Sequence, residues 1–420
     1  DTNIAAAQTA VGDSGPNFAI AQINTGSSFT FPASYFTSGG NKFFLFEGAG
    51  IGEGQLMLTL SDSSGNTVLQ SGLWLDLHDV KDLYEQAHAT NVTSGLPPSS
   101  MISQCVIDHV TDAAQDESKQ VIVFVHGINN TLFNYYDSTE SIFKRLYWSG
   151  YHGKVAGFRW PCAYLPFDNT LNPFNYNIGE FYAWKSASAL RVYLNYLRNR
   201  TDLNSYTISI LAHSQGNVVA SEAVNQGGAF DNYILTQGAI PAQSYDTTVP
   251  SLQKFLDAEA NSPTPLFSTN GGYRGYFTNI TGNLINFYNP NDYALVSGTW
   301  NHLQANWEEN QISQKPEAFV FAQQYGYAPN TGISSRYYGG VGPLITVTDP
   351  YEIMSMVARS RTHAVGAQGG IGGVIKGSVD LKALFGFGST REEHSAEFAR
   401  PIQTSIDYYQ TLLLQITPEP

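Results

Sequence analysis

The sequence predicts an α/β protein, with a mostly parallel sheet flanked by helices and a small β-rich domain ahead of it. Three observations carry this. Val121–Val125, Val155–Trp160 and Tyr206–Ala212 are continuous apolar runs, as strands buried on both faces should be. Between them lie segments of helical period, such as Glu180–Arg198, where Phe181, Trp184, Ala187, Leu190, Leu194 and Leu197 recur every three or four residues. The third run passes almost directly into a helix, Asn217–Asn225. Strands alternating with helices imply parallel pairing through crossover connections.

In chain order, residues 1–40 are rich in Ala, Ser, Thr, Gly and Asn and read as a loose arm. Lys42–Phe46, Gln55–Leu60 and Thr67–Gln70 read as strands, the last two joined by a polar turn with Gly65. Trp74–Gln86 has helical spacing, and the stretch from Ala87 to Ser100, with Pro97 and Pro98, is a linker by composition. Residues 1–115 are therefore expected to form the accessory domain plus linker, and residues 116–420 the α/β domain. Within the latter, Tyr233–Ile240, Leu284–Tyr288 and Leu344–Val347 read as further strands, and Tyr351–Ala358 and Ala396–Leu414 as helices.

Composition narrows the function classes. Apolar residues make up 42%, enough for a sizeable core, while charged residues make up only 13%, against a usual share of roughly 25%. A polar but weakly charged surface fits a secreted or cell-envelope protein. The chain begins at Asp1 without Met, as it would after loss of a signal peptide or after trimming. The net charge of −14 repels phosphate backbones, which excludes nucleic acid as a partner, and gives no attraction to anionic membranes. No apolar run reaches the ~18 residues of a transmembrane helix. The two cysteines, Cys105 and Cys162, match no zinc or redox spacing, and either a disulfide or two separate thiols is open. No His/Asp cluster has metal-ligand spacing, so no metal is expected.

The central feature is Ile208-Ser209-Ile210-Leu211-Ala212-His213-Ser214-Gln215-Gly216-Asn217. A strand reversing this sharply into a helix needs small residues two before and two after the serine, and Ala212 and Gly216 meet that need. Ser214 is then presented on a strained backbone as a nucleophile, with the Gln215 N–H aimed at a developing oxyanion. The first motif position is Ala rather than the usual Gly. A second signal is Val121–Val125 followed by His126-Gly127-Ile128-Asn129-Asn130. Gly127 allows close backbone approach to a substrate, and Ile128 or Asn129 would supply a second donor. His126 is expected to be structural.

Chain order in such enzymes is Ser, then Asp or Glu, then His. Of nine histidines, three follow the elbow: His302, His363 and His394. His394 is preferred because it lies in a polar loop after every predicted strand and just before the last helix. His302 sits among tryptophans and reads as packing. Asp292, in the loop at the carboxyl end of Leu284–Tyr288, is the preferred acid; Asp246, one strand earlier, is the rival, and Asp349 reads as a turn residue.

The elbow, the His-Gly strand end and the late His together resemble the α/β-hydrolases over about residues 116–420, near the lipases and carboxylesterases with a VHGxNN-type strand end. That resemblance implies a mostly parallel eight-strand sheet, no cofactor, and an acyl-enzyme mechanism. Ser214 would be the nucleophile, His394 the base, Asp292 the acid, and Gln215 and Ile128 the oxyanion donors beside Gly127. The substrate would be a small-molecule or polymeric ester. An amidase, thioesterase or acyltransferase could use the same triad, and a binding protein on a hydrolase scaffold is the reading from another class. Pro161–Tyr182 and Ser262–Thr278, rich in aromatic residues, follow strands and are expected to wall the substrate site.

Overall fold

The computed structural model describes residues 23–31, 36–37, 39, 48, 50–90, 102–112, 117–128, 130, 132–162, 173–246, 248, 275–295, 364–390, 392–399 and 402–416. The chain divides into two compact units, Asp1–Leu83 and Tyr84–Pro420. In the first, β1 (Gly52–Ser61) and β2 (Thr67–Leu77) form an antiparallel hairpin. Its turn is organised by Asp62, whose Oδ1 accepts from the backbone N–H of Ser64 and Asn66 at 2.9 and 2.8 Å. Gly65 takes φ 85° there, in the left-handed region.

The second unit opens with β3 (Glu85–Ala89) and β4 (Cys105–His109). Then follow β5 (Gln120–Val125), α1 (Leu132–Trp148), β6 (Lys154–Arg159), α2 (Pro173–Asn199), β7 (Thr207–His213), α3 (Gly216–Asn225), β8 (Asn232–Thr236) and β9 (Asn283–Tyr288). After β10 (Ile375–Asp380) come α4 (Leu381–Phe385), α5 (Ala396–Ala399) and α6 (Ile402–Ile416). The eight strands lie in the order β10-β9-β8-β7-β5-β6-β3-β4, parallel throughout except for β4 at one edge.

Strand alternation explains the unbroken apolar runs. Val121, Val123 and Val125 of β5 face one layer with Trp184, Leu190 and Leu194 of α2 and Val218 of α3. Ile122 and Phe124 face the opposite layer with Ile142 and Leu146 of α1 and Tyr408, Tyr409 and Leu412 of α6. Both faces are covered, so both sets must be apolar. Within the expected single helix at Ala396–Leu414, the described residues form two, α5 ending at Ala399 and α6 beginning at Ile402.

Three expectations for the amino-terminal third are corrected. Trp74–Leu77 ends β2 and is not helical, and only Val80–Asp82 forms a short 3-10 turn. Ala87–Ala89 lies in β3 and is not linker. Glu85–Ala89 and Cys105–His109 therefore belong to the main sheet, and the accessory unit ends at Leu83 and not near residue 115. The cause is a buried ionic cluster at the amino ends of the strands. Glu85, with no exposed side-chain surface, accepts from Arg200 Nη1 at 2.6 Å, and Lys154 Nζ lies 4.0 Å away. Lys154 also donates to Thr111 Oγ1 and Asp112 O, both at 2.8 Å. A strand carrying Glu85-Gln86 beside the core reads as polar until those partners are known.

Cys105 and Cys162 are not joined by a disulfide. Burial, with the Asp108 charge, pushes the Cys105 thiol up to about 12, so it stays protonated and unreactive. No helix among the described residues is long and apolar enough to cross a membrane. The expected elements Lys42–Phe46, Leu344–Val347 and Tyr351–Ala358 lie outside the described residues.

Removing one partner of a buried ionic cluster strands the others. Glu85→Ala is expected to destabilise the protein by about 3–5 kcal/mol. Chemical denaturation should show a lower midpoint at an unchanged slope, and Glu85→Gln should lose less.

Candidate active site

The carboxyl ends of β5, β7, β8 and β9 meet at one edge of the sheet. At the end of β7, Ser214 has φ 49° and Gln215 is already helical at φ −68° and ψ −16°. A left-handed non-glycine residue costs about 1–2 kcal/mol, so the surroundings must hold it. Ser214 N donates to Thr236 O at 3.1 Å. Ser214 O accepts from the backbone N–H of Asn217 and Ala239, at 3.1 and 3.0 Å. The Asn217 side chain donates to Ala212 O and Ser214 O, both at 2.9 Å, and accepts from Tyr233 OH at 2.9 Å. A Cβ on Gly216 would lie 2.5 Å from the carbonyl oxygens of Val125 and His126. This is why the second small position must be glycine, while Ala212 is accommodated with no exposed surface.

His394 lies in the 3-10 turn Glu392–Ser395 ahead of α5. Its Nε2 is 2.9 Å from Ser214 Oγ, and its Nδ1 is 2.9 and 2.8 Å from Asp292 Oδ1 and Oδ2. The acceptor-only carboxylate takes the Nδ1 proton, leaving Nε2 to accept from the serine hydroxyl. Asp292 is fully buried; Gln237 Nε2 donates to its Oδ2 at 2.5 Å and Ala294 N to its Oδ1 at 2.8 Å. Burial lowers the basicity of His394, but the Asp292 charge and hydrogen bond, with the Glu397 charge, outweigh it. The imidazole is raised above the usual 6.5.

The structure pairs Asp292, not Asp246, with the imidazole. Asp246 instead ties down loops, accepting from Thr248 N and Oγ1 at 2.8 and 2.7 Å and from Gly372 N at 2.9 Å. His302, His363 and Asp349 lie outside the described residues, as does Asn129.

Gly127 packs against the elbow: a Cβ there would sit 3.0 Å from Ser214 Cβ. Its carbonyl accepts from His126 Nδ1 at 2.8 Å and from Asn130 Nδ2 at 3.0 Å. The two ends of a planar trans peptide point oppositely, so the Ile128 N–H faces away from those donors. His126 is buried and stacked on Trp160, with centroids 5.3 Å apart, and its Nε2 accepts from Trp160 N at 3.2 Å. Burial, with nearby Arg159 and His213, pushes it down to about 4, so it stays neutral. Its contacts are those of a brace.

Sequence reasoning missed Gln237, which sits at φ 43° just past β8 and reaches both Asp292 and the Glu393 carbonyl, the latter at 3.0 Å. Its signal is faint, a lone Gln in the turn after a buried strand. It missed Asn217, although this residue follows the elbow glycine directly. The expected aromatic walls are corrected in part. Residues from Pro173 onward are helix, and Tyr182 and Phe277 are core side chains, 4% and 0% exposed. Positions 163–172 and 262–274 lie outside the described residues.

The parallel sheet, the strand-to-helix elbow at its carboxyl edge and the loops converging there define an α/β-hydrolase. Residues 104–238 match the family described as alpha/beta hydrolase of unknown function (DUF900), which spans under half of the chain. No curated protein matches. Among solved structures, the chain is similar to the Pyrococcus furiosus esterase Pf2001 at 13% identity, covering 46% of this chain and 70% of that one, with a TM-score of 0.26. It is similar to an esterase domain of a Rhodothermus marinus protein at 12% identity, covering 60% and 83%, with a TM-score of 0.25. The corresponding values for MenH from S. aureus are 13%, 43% and 78%, and 0.23. These likenesses are too remote to bear on chemistry.

Two outcomes are expected. Gly216→Ala must displace backbone rather than a flexible side chain, so it should destabilise by about 1–3 kcal/mol, read as a lower melting temperature. A base must be neutral to take a proton, and the folded imidazole titrates above 6.5. Activity that depends on His394 should therefore fall as pH drops through a midpoint above 6.5 in the kcat/KM profile. Asp292→Asn should move that limb down; a wild-type midpoint at or below the free imidazole value contradicts the arrangement.

Proposed function

We propose that the protein is a serine hydrolase that cleaves carboxylic esters through an acyl-enzyme. The observation that carries this reading is the continuous chain Ser214 Oγ, His394 Nε2, His394 Nδ1 and Asp292, with no link longer than 2.9 Å. Ser214 Oγ attacks the acyl carbonyl carbon while His394 Nε2 takes its proton. Asp292 keeps the imidazole in the tautomer that can do so and stabilises the imidazolium without itself being protonated. The tetrahedral intermediate collapses as His394 passes the proton to the leaving alcohol. Water, deprotonated by His394, then attacks the acyl-enzyme and releases the acid and Ser214.

The Gln215 N–H, at the start of α3, and the Ile128 N–H are the donors for the oxyanion. The first belongs to the residue after the nucleophile, where the helix N-terminus favours negative charge. The second is turned from its own carbonyl's partners by the bonds from His126 and Asn130 to Gly127 O. Each such donor is worth on the order of 3 kcal/mol in the transition state. An ester suits this machinery because an alkoxide leaves more readily than an amine anion and takes its proton from His394.

The test is fluorophosphonate labelling of the purified protein, wild type beside Ser214→Ala, with a short p-nitrophenyl ester assayed in parallel. Labelling should vanish in the variant, and turnover should fall by about 10⁴-fold or more. Labelling without ester turnover would keep the nucleophile and move the substrate to an amide, thioester or bulkier ester. A wild type that neither labels nor turns over would overturn the reading.

A further inference from the structure

A second imidazole–carboxylate pair lies directly beside the first. His213, the residue before Ser214, has its Nδ1 2.6 Å from Oε1 of Glu397, three residues after His394. The two side chains are 7% and 2% exposed. The rings of His213 and His394 lie 5.1 Å apart. The contact thus joins the residue before Ser214 to the residue three after His394. Among the described residues, the turn bearing His394 is also tied to the sheet by Gln237, which reaches the Glu393 carbonyl before it at 3.0 Å. After it, Glu397 meets His213 and accepts weakly from Thr236 Oγ1 at 3.4 Å.

We propose that Glu397, acting through His213, is a positioning residue for His394. It ties the His394 turn to the elbow strand, and its negative charge favours the imidazolium formed when Ser214 gives up its proton. This rests on the reading of Ser214 as nucleophile. Other titratable groups face the pair from every side. His126 at the end of β5 and His394 face His213; Arg145 of α1 and Tyr408 and Tyr409 of α6 face Glu397. Arg145 is the one fixed cation in this set. Its guanidinium donates to Phe398 O at 2.7 Å and to Ser405 Oγ, which turns it to the backbone of α5 and to α6. Asp292 lies beyond His394, so the imidazolium would form between two carboxylates. Packing alone does not require a carboxylate at 397; an amide of the same shape would fill the volume.

The experiment compares wild type, Glu397→Gln and His213→Gln, each checked for cooperative melting, by fluorophosphonate labelling rate and by kcat and KM across pH. In Glu397→Gln the shape stays and the charge goes. Labelling and kcat should fall by about tenfold with KM little changed, and the acid limb should move down by about 0.5–1 unit. His213→Gln keeps the Glu397 charge and removes the imidazole between it and the elbow, so its limb should stay or move up while its rate falls. Limbs that move down together, or a Glu397→Gln rate equal to wild type, would overturn the inference. If Glu397→Gln does not fold, the double variant His213→Gln/Glu397→Gln removes the carboxylate charge and leaves two amides facing each other. Its limb must still move down, and one at the wild-type position overturns the inference. A wild type that does not label removes the Ser214 reading and this inference with it. Labelling that is normal in the wild type and unchanged in the variants removes only the inference.

Discussion

The backbone of Ser214 is the constraint on which the site depends. A serine at φ 49° between a strand and a helix leaves no room for an intervening loop. The helix must therefore start at Gly216, against the carbonyl oxygens of Val125 and His126 on the neighbouring strand. That contact sets the spacing of β5 and α3 and brings Gly127 against the serine. Parallel pairing then does the rest. Because β5, β7, β8 and β9 run the same way, their carboxyl ends emerge at one edge, and every loop that could supply a base, an acid or a donor begins there.

Polar ties fix the loops around Ser214, beside the small apolar cluster of Ala239, Ala294, Leu295 and Ala364. Asp292 is fixed by the Ala294 N–H and by Gln237, and Gln237 in turn holds the Glu393 carbonyl next to His394. One side chain therefore braces both Asp292 and the turn carrying His394. Past the end of β5, His126 and Asn130 share the Gly127 carbonyl, and Trp160, just past β6, fixes the His126 ring. Asp292, Gln237, His126 and Trp160 are buried, so an unmade hydrogen bond there would cost more than a made one gains. That asymmetry gives each loop one low-energy position.

Local chemistry was legible in the sequence and distant pairing was not. The buried strands showed because both faces of β5 and β7 are covered, which forces unbroken apolar runs. The elbow showed because sterics at a single turn dictate small residues at fixed offsets from Ser214. Asp292 and His394 were recognisable only through chain order and their loops, and the choice of Asp292 over Asp246 needed the sheet in place. β3 was hidden because Glu85 is made compatible with burial by Arg200, far away in sequence. Gln237 and Glu397 were hidden for the same reason: each is an ordinary polar residue whose meaning lies in a partner on another loop. Of the aromatic rings expected to line a pocket, Tyr182 and Phe277 build the core instead, as rings at 13% of the chain also must.

The strain at Ser214 and its remedy are both local. The left-handed backbone costs about 1–2 kcal/mol, while each of the hydrogen bonds that Ser214 and Asn217 make around the elbow contributes on the order of 1 kcal/mol. The elbow is thus held by its own strand, its own helix and the adjacent β8 turn, independently of whether His394 or Asp292 is in place. Asp292, just after β9, and His394, after β10, therefore need not stabilise the conformation of Ser214. A rigid Ser214 met by loops with their own anchors separates what holds the elbow from what surrounds it.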